Sequence, residues 1–198
     1  KSIALANYPN TLVPEQVFNE KNKEKLFSLN HNLDEIILTD NIKKNNVINL
    51  YSIPKSLHQT IRNIIPDAKI SSQSSILINS FLSNNNIIKK LNLYIKDDFA
   101  HILITNNNQL IFQNKFKFTS KEDLLFYTLF CIQENNLDTE KINTEIYGNI
   151  KKEEYQILYE YIRNINYGNK LKDIQCGNEF NNIDDHCFNI LYRQYLCV

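Results

Sequence analysis

"YIKDDFAHILITNNNQLIFQNKF", Tyr94 to Phe116, is the stretch whose reading decides the fold. Apolar residues fall at every second position in three runs. Leu91, Leu93 and Ile95 make up the first, Ala100, Ile102 and Ile104 the second, and Leu110, Phe112, Phe116 and Phe118 the third, with Asn114 the exception. A period of two belongs to strands with one face buried. Asp97-Asp98 and Asn106 to Asn108 separate the runs, and these residue types tolerate left-handed backbone and bond their own main chain. The stretch therefore predicts a three-stranded antiparallel meander.

Downstream, "TSKEDLLFYTLFCIQENN" spaces Thr119 and Glu122 as a capping box ahead of Leu125, Phe126, Leu129, Phe130 and Ile132. So much of that helix is apolar that it is expected to be buried on more than one side, with Phe126 and Phe130 in the core. "INTEIYG" reads as a further strand, parallel to its neighbour if its crossover has the usual right hand. "KKEEYQILYEYIRNI" follows as an amphipathic helix with Tyr155, Leu158 and Ile162 inward. The order is three antiparallel strands, helix, strand, helix.

Upstream, strand and helix alternate. "SIALANY" is a short apolar strand ended by Pro9. In "TLVPEQVFNEKNKEKLFSLN", Pro14 suits a helix start, with Val17, Phe18, Leu26 and Leu29 on one side. "EIILTD" and "VINLYSIP" read as strands, and "PKSLHQTIRNIIP" as a helix carrying Leu57, Ile61, Ile64 and Ile65 inward. "AKIS" is a short strand, and "SSQSSILINSFLSNNN" a serine-capped helix that ends at Asn84 to Asn86. That polar break divides a first subdomain, 1–88, from a second, 89–198.

Composition limits the function classes. Twenty-two basic residues balance twenty-two acidic ones among 198, so no net field favours nucleic acid or an anionic membrane. The longest apolar runs are too short to span a bilayer. Lys1 is not expected to be the native start, because the sequence contains no Met. Cys131, Cys176, Cys187 and Cys197 form no CxxC pair and read as free thiols in a reducing, cytoplasmic compartment. Cys176, His186 and Cys187 are a cluster with metal character, but no fourth ligand stands at a regular spacing, so no metal site is expected. His101, in mid-strand, and Tyr147, beside Gly148, are positioned to line a cleft, but a single His near a sheet edge more often packs than acts as a base. No Ser-His-Asp, Cys-His or HExxH arrangement can be read, and no catalytic residue is assigned.

The order of elements resembles the ribonuclease H-like unit, the repeated half of actin-like ATPases. The text "TLVP", "LYSIP", "LIFQNKFKFTSKEDLLFYTLF" and "IYGNI" is similar over nearly the whole chain to bacterial domain-of-unknown-function family 3822, whose members have an actin-like ATPase fold. The resemblance implies an α/β protein of two such subdomains, the first lacking strands that precede "SIALANY" in the family. Being to a family of unknown function, it brings no catalytic residues.

For nucleotide chemistry, the actin-like fold uses hairpin turns in which an acidic residue is followed closely by glycine, so that backbone N–H groups approach the phosphates. Here Asp97-Asp98 supply the carboxylates, but Phe99 and Ala100 stand at the glycine-dependent positions. The adenosine site needs a glycine pair, and Gly148 is followed by Asn149. Asp97, Asp98, Gly148 and Asn149 are therefore weak candidates for cofactor binding, each also readable as a plain turn, and no cofactor is expected. A non-catalytic binding or scaffold module, engaging a protein partner or a second copy of itself, is favoured; a divergent ATP-binding protein is the alternative.

Overall fold

The computed structural model describes residues 1–33, 35–82, 88–169 and 183–196. By its contacts the chain forms two compact units, Lys1–Ser80 with Arg193–Val198, and Phe81–Tyr192. The polar break at Asn84 to Asn86 lies outside the described residues.

In the first unit, β1 (Ser2–Leu5) is followed by β2 (Asn10–Pro14), α1 (Lys23–Ser28), β3 (Ile36–Ile42), β4 (Val47–Ile53), α2 (Lys55–Ile64), β5 (Lys69–Ser72) and α3 (Gln73–Phe81). Among the described residues, β1 pairs in parallel with β5, and β2, β4 and β3 make an antiparallel sheet with β4 central. Pro14 thus ends a strand instead of starting a helix. It pairs with Val47 at the edge of the sheet, where a residue without an N–H costs no ladder bond. The following helix begins at Lys23 and buries Phe27; Val17 and Leu29 are exposed, and so is Ile64 at the end of α2.

A polar network crosses this unit. Ser72 N–H donates to Asp40 Oδ2 at 2.7 Å, Tyr51 Oη to Asp40 Oδ1 at 3.4 Å, and Asn49 Nδ2 to Ser75 Oγ at 2.8 Å. Burial raises the Asp40 pKa against these bonds. Near the chain end, Arg193 Nη1 donates to Ser80 Oγ and Gln194 Nε2 to Ser2 Oγ at 3.0 Å.

The second unit is built on β6 (Lys90–Lys96), β7 (Phe99–Asn106) and β8 (Gln109–Lys117), then α4 (Lys121–Glu134), β9 (Asn143–Gly148), α5 (Lys152–Tyr161) and β10 (Asn164–Tyr167), with α6 (Asn189–Leu196) beginning in it. Among the described residues the sheet order is β10-β9-β6-β7-β8, antiparallel from β6 to β8 and parallel from β6 through β9 to β10. The meander stands as read, closed at its second turn by Asn107 and Asn108, both at positive φ. That is the pair of conformations a tight hairpin takes to match the twist of its strands. β10, four residues long with one side chain buried, was not legible in the sequence.

Leu91, Leu93, Ile95, Ala100, Ile102, Ile104 and Ile146 form the core on one face with Leu124, Cys131 and Leu158 of the helices. The cap of α4 is one residue later than the spacing suggests: Ser120 Oγ accepts from Asp123 N–H, and the Asp123 carboxylate accepts from the backbone N–H groups of Thr119 and Ser120. The inward stripe of α4 is Leu124, Thr128, Cys131 and Ile132. Phe126 and Phe130 lie about half a turn away from it and are 62% and 46% exposed, which overturns the expectation that they are core. The two rings face each other at 6.1 Å, nearly parallel. No helix among the described residues is long and apolar enough to cross a membrane.

Candidate functional site

The first candidate is the turn joining β6 to β7. Two residues close it, Asp97 at φ +54° and Asp98. Both carboxylates face lysines: Asp97 Oδ1 stands 3.5 Å from Lys96 Nζ and Asp98 Oδ2 3.2 Å from Lys117 Nζ. Exposed pairs of this kind are worth about 0 to 1 kcal/mol each. The Asp98 carbonyl accepts from Phe118 N–H at 2.9 Å, tying the turn to the end of β8. The half-buried Phe99 ring has Lys115 Nζ and Lys117 Nζ 5.4 and 6.0 Å from its centre, in cation–π range. Ala100 is fully buried. Both carboxylates of the turn have a lysine partner, and the position where a phosphate needs bare backbone carries a phenyl ring.

The second candidate, Gly148-Asn149, sits where β9 ends beside β6. Gly148 has φ +86°, and a Cβ there would meet the Ile95 carbonyl oxygen at 2.0 Å. That oxygen accepts from Asn149 N–H at 2.8 Å. Close passage of two strand ends accounts for this glycine. Gly168 has a similar reason: a Cβ would run into the Tyr147 ring at 2.0 Å.

Beside Gly148 opens a cleft of about 550 Å³ whose walls include Ile150, Lys152, Tyr167, Asn169, Asp184 and His186. Gly148 N–H donates to the His186 carbonyl at 2.8 Å, pinning residues 184–187 to the end of the sheet. The imidazole of His186 stacks on Tyr167 at 4.4 Å, and Tyr167 stacks on Tyr155 of α5 at 4.4 Å. Cys187 N–H donates to the Asp184 carbonyl at 3.0 Å, and this turn gathers the Asp184 carboxylate, a His186 nitrogen and Cys187 Sγ within 4.8 Å of one another. Burial lowers the His186 pKa while Asp184 and Asp185 oppose it, and burial, then Asp184, raises that of Cys187. The sequence points to His186 and Cys187 but not to Asp184 or Tyr167; the run Asp184-Asp185-His186-Cys187 is the available signal. Cys176 lies outside the described residues.

His101 does not reach this cleft's walls. It is 1% exposed on the face of β7 opposite Ala100, in an edge-on contact with Tyr94, and neither ring nitrogen has a hydrogen-bond partner among the described residues. Burial, then Lys115, lowers its pKa to about 3. Tyr147 Oη donates to Glu145 Oε2 at 2.5 Å, beside the Lys90–Glu145 ion pair at 2.6 Å.

Comparison with known proteins agrees with this architecture. A protein of Bacteroides thetaiotaomicron VPI-5482 with an actin-like ATPase fold and unknown function is similar to this chain with a TM-score of 0.76 and 27% identity, over 83% of this chain. The alignment takes in 66% of that protein's length. An AlfA filament bound to AMPPNP aligns with a TM-score of 0.42 and 11% identity, over 99% of this chain and 60% of its own. No curated protein matches. The family model described as "Protein of unknown function (DUF3822)" matches residues 2–165, a span that holds the meander, α4 and the Gly148 turn alike. This α/β chain with an actin-like ATPase fold therefore belongs to the DUF3822 family, proteins of unknown function.

Proposed function

We propose that the protein is a non-catalytic binding module that holds a protein partner through the outer face of α4. The observation that carries this reading is the exposed, mutually stacked pair Phe126 and Phe130. Aromatic side chains give large contact area for little lost conformational freedom and are enriched at the centres of protein interfaces. A chain with equal numbers of acidic and basic residues lacks a strong overall field to steer a polyanion, so recognition rests on apolar contact. The candidate nucleotide turns support the same reading, because lysines answer the carboxylates at Asp97 and Asp98 and strand packing accounts for Gly148. The partner is a protein with a matching apolar face.

The test is photo-crosslinking in the native host from a benzophenone side chain at position 126, with exposed position 109 as control. The expected result is one discrete adduct from 126, lost when Phe130→Glu is added, and none from 109. A smear common to both positions, or no adduct from 126, contradicts the proposal.

A further inference from the structure

The turn of residues 184–187 gathers a carboxylate, an imidazole and a thiol within 4.8 Å of one another, and nothing in the binding-module reading uses it. We infer that Asp184, His186 and Cys187 bind one Zn²⁺ through a carboxylate oxygen, an imidazole nitrogen and a thiolate sulfur, leaving a fourth position open to the cleft.

The geometry argues for this first. His186 Nε2 and Cys187 Sγ stand 3.7 Å apart. With Zn–N and Zn–S bonds of about 2.1 and 2.3 Å in a tetrahedron, the N to S edge is about 3.6 Å. Two of the three donors are therefore already at ligand separation. The Asp184 oxygen completes the group within 4.8 Å, on an exposed side chain.

Rigidity argues for it second. A metal site is tight when its ligands are held before the ion arrives, and His ligands are oriented by what packs around the ring. Here the His186 carbonyl is held by Gly148 N–H, the imidazole lies on Tyr167, and Cys187 N–H closes the turn onto Asp184. His186 is 9% exposed although it belongs to an irregular segment.

The donor chemistry selects the ion. One sulfur, one nitrogen and one oxygen suit zinc and its spectroscopic substitute cobalt; magnesium and calcium take oxygen donors almost alone. On binding, the Cys187 S–H bond is replaced by a sulfur–metal bond and one proton leaves to solvent. The two anionic ligands then balance the charge of the ion. Asp184 and His186 line the cleft of about 550 Å³, so the fourth ligand in this proposal is a water or a small ligand with an anionic or carbonyl oxygen held there.

The experiment titrates the purified, reduced chain with Co²⁺ and then with Zn²⁺. The expected result is a thiolate-to-cobalt charge-transfer band that saturates at one equivalent and is bleached by Zn²⁺. Cys187→Ser abolishes the band, and His186→Ala weakens binding by more than about 100-fold, beyond the roughly 10- to 100-fold cost of losing a merely supporting group. Asp184→Asn, an exposed change that leaves the metal-free thermal melt unaltered, also lowers affinity. The inference is overturned if the native chain gives no charge-transfer band, or if the band and the affinity survive both Cys187→Ser and Asp184→Asn.

Discussion

Gly148 lies so close to Ile95 that a methyl group placed on it would stand 2.0 Å from the Ile95 carbonyl oxygen, and its backbone is at φ +86°. The same oxygen receives Asn149 N–H. The sequence motif that suggested an adenosine contact is thereby explained by the meeting of two strand ends. Gly148→Ala should lower stability by at least about 1 to 3 kcal/mol from the backbone conformation alone. Urea denaturation measures this, and a loss under about 0.5 kcal/mol would show that the strands separate freely at this point.

His101 makes stability depend on acid. Its folded pKa, about 3, lies below the ordinary value of 6.5, so the folded state favours the neutral ring. The stabilisation is complete above pH 6.5 and is lost as pH falls toward 3. Each pH unit in that window removes about 1.4 kcal/mol. Between pH 6.5 and 4.5 the native chain should lose about 2 to 3 kcal/mol more than a His101→Leu variant, read from urea midpoints at the two pH values. Parallel losses in the two proteins would place the acid response elsewhere.

The two faces of α4 should answer mutation differently. Leu124 is fully buried, and Leu124→Ala should cost about 2 to 5 kcal/mol. Phe126→Ala and Phe130→Ala, which remove exposed rings, should each cost less than about 1 kcal/mol, as surface changes do. A loss of about 3 kcal/mol or more at either phenylalanine would return those rings to the core and remove the basis of the proposed interface.

These contrasts show what was legible in the sequence. The meander could be read because alternation across Leu91 to Phe118 encodes both strand and buried face, and Asp-Asp and Asn-Asn pairs mark turns that need left-handed backbone. α4 could be read as a helix but not oriented: with apolar residues all round, nothing in one sequence separates a buried ring from an exposed one. Pro14 is ambiguous in the sequence because the same missing N–H suits the first turn of a helix and the edge of a sheet. In the turn of residues 184–187, adjacency reveals His186 and Cys187, while the approach of His186 to Gly148 and Tyr167 is a tertiary fact that no local pattern carries.

The carboxylates of the first hairpin turn are expected to be energetically minor. Asp97→Asn and Asp98→Asn each remove one exposed ion pair, so thermal and urea denaturation should show changes within about 0.5 kcal/mol. A larger loss in either variant would mean that the turn carries structure beyond its lysine contacts.

The most direct test of the account is calorimetric titration of the chain with Mg-ATP. Phosphate oxygens held by backbone amides need close approach, which the half-buried Phe99 ring obstructs, and the carboxylates beside it repel a triphosphate. The account predicts no micromolar binding and no thermal stabilisation, whereas ligand at a hundred times its dissociation constant adds about 2.7 kcal/mol. Micromolar binding that Asp97→Asn or Asp98→Asn abolishes would contradict it and make the protein a divergent nucleotide-binding member of the actin-like fold.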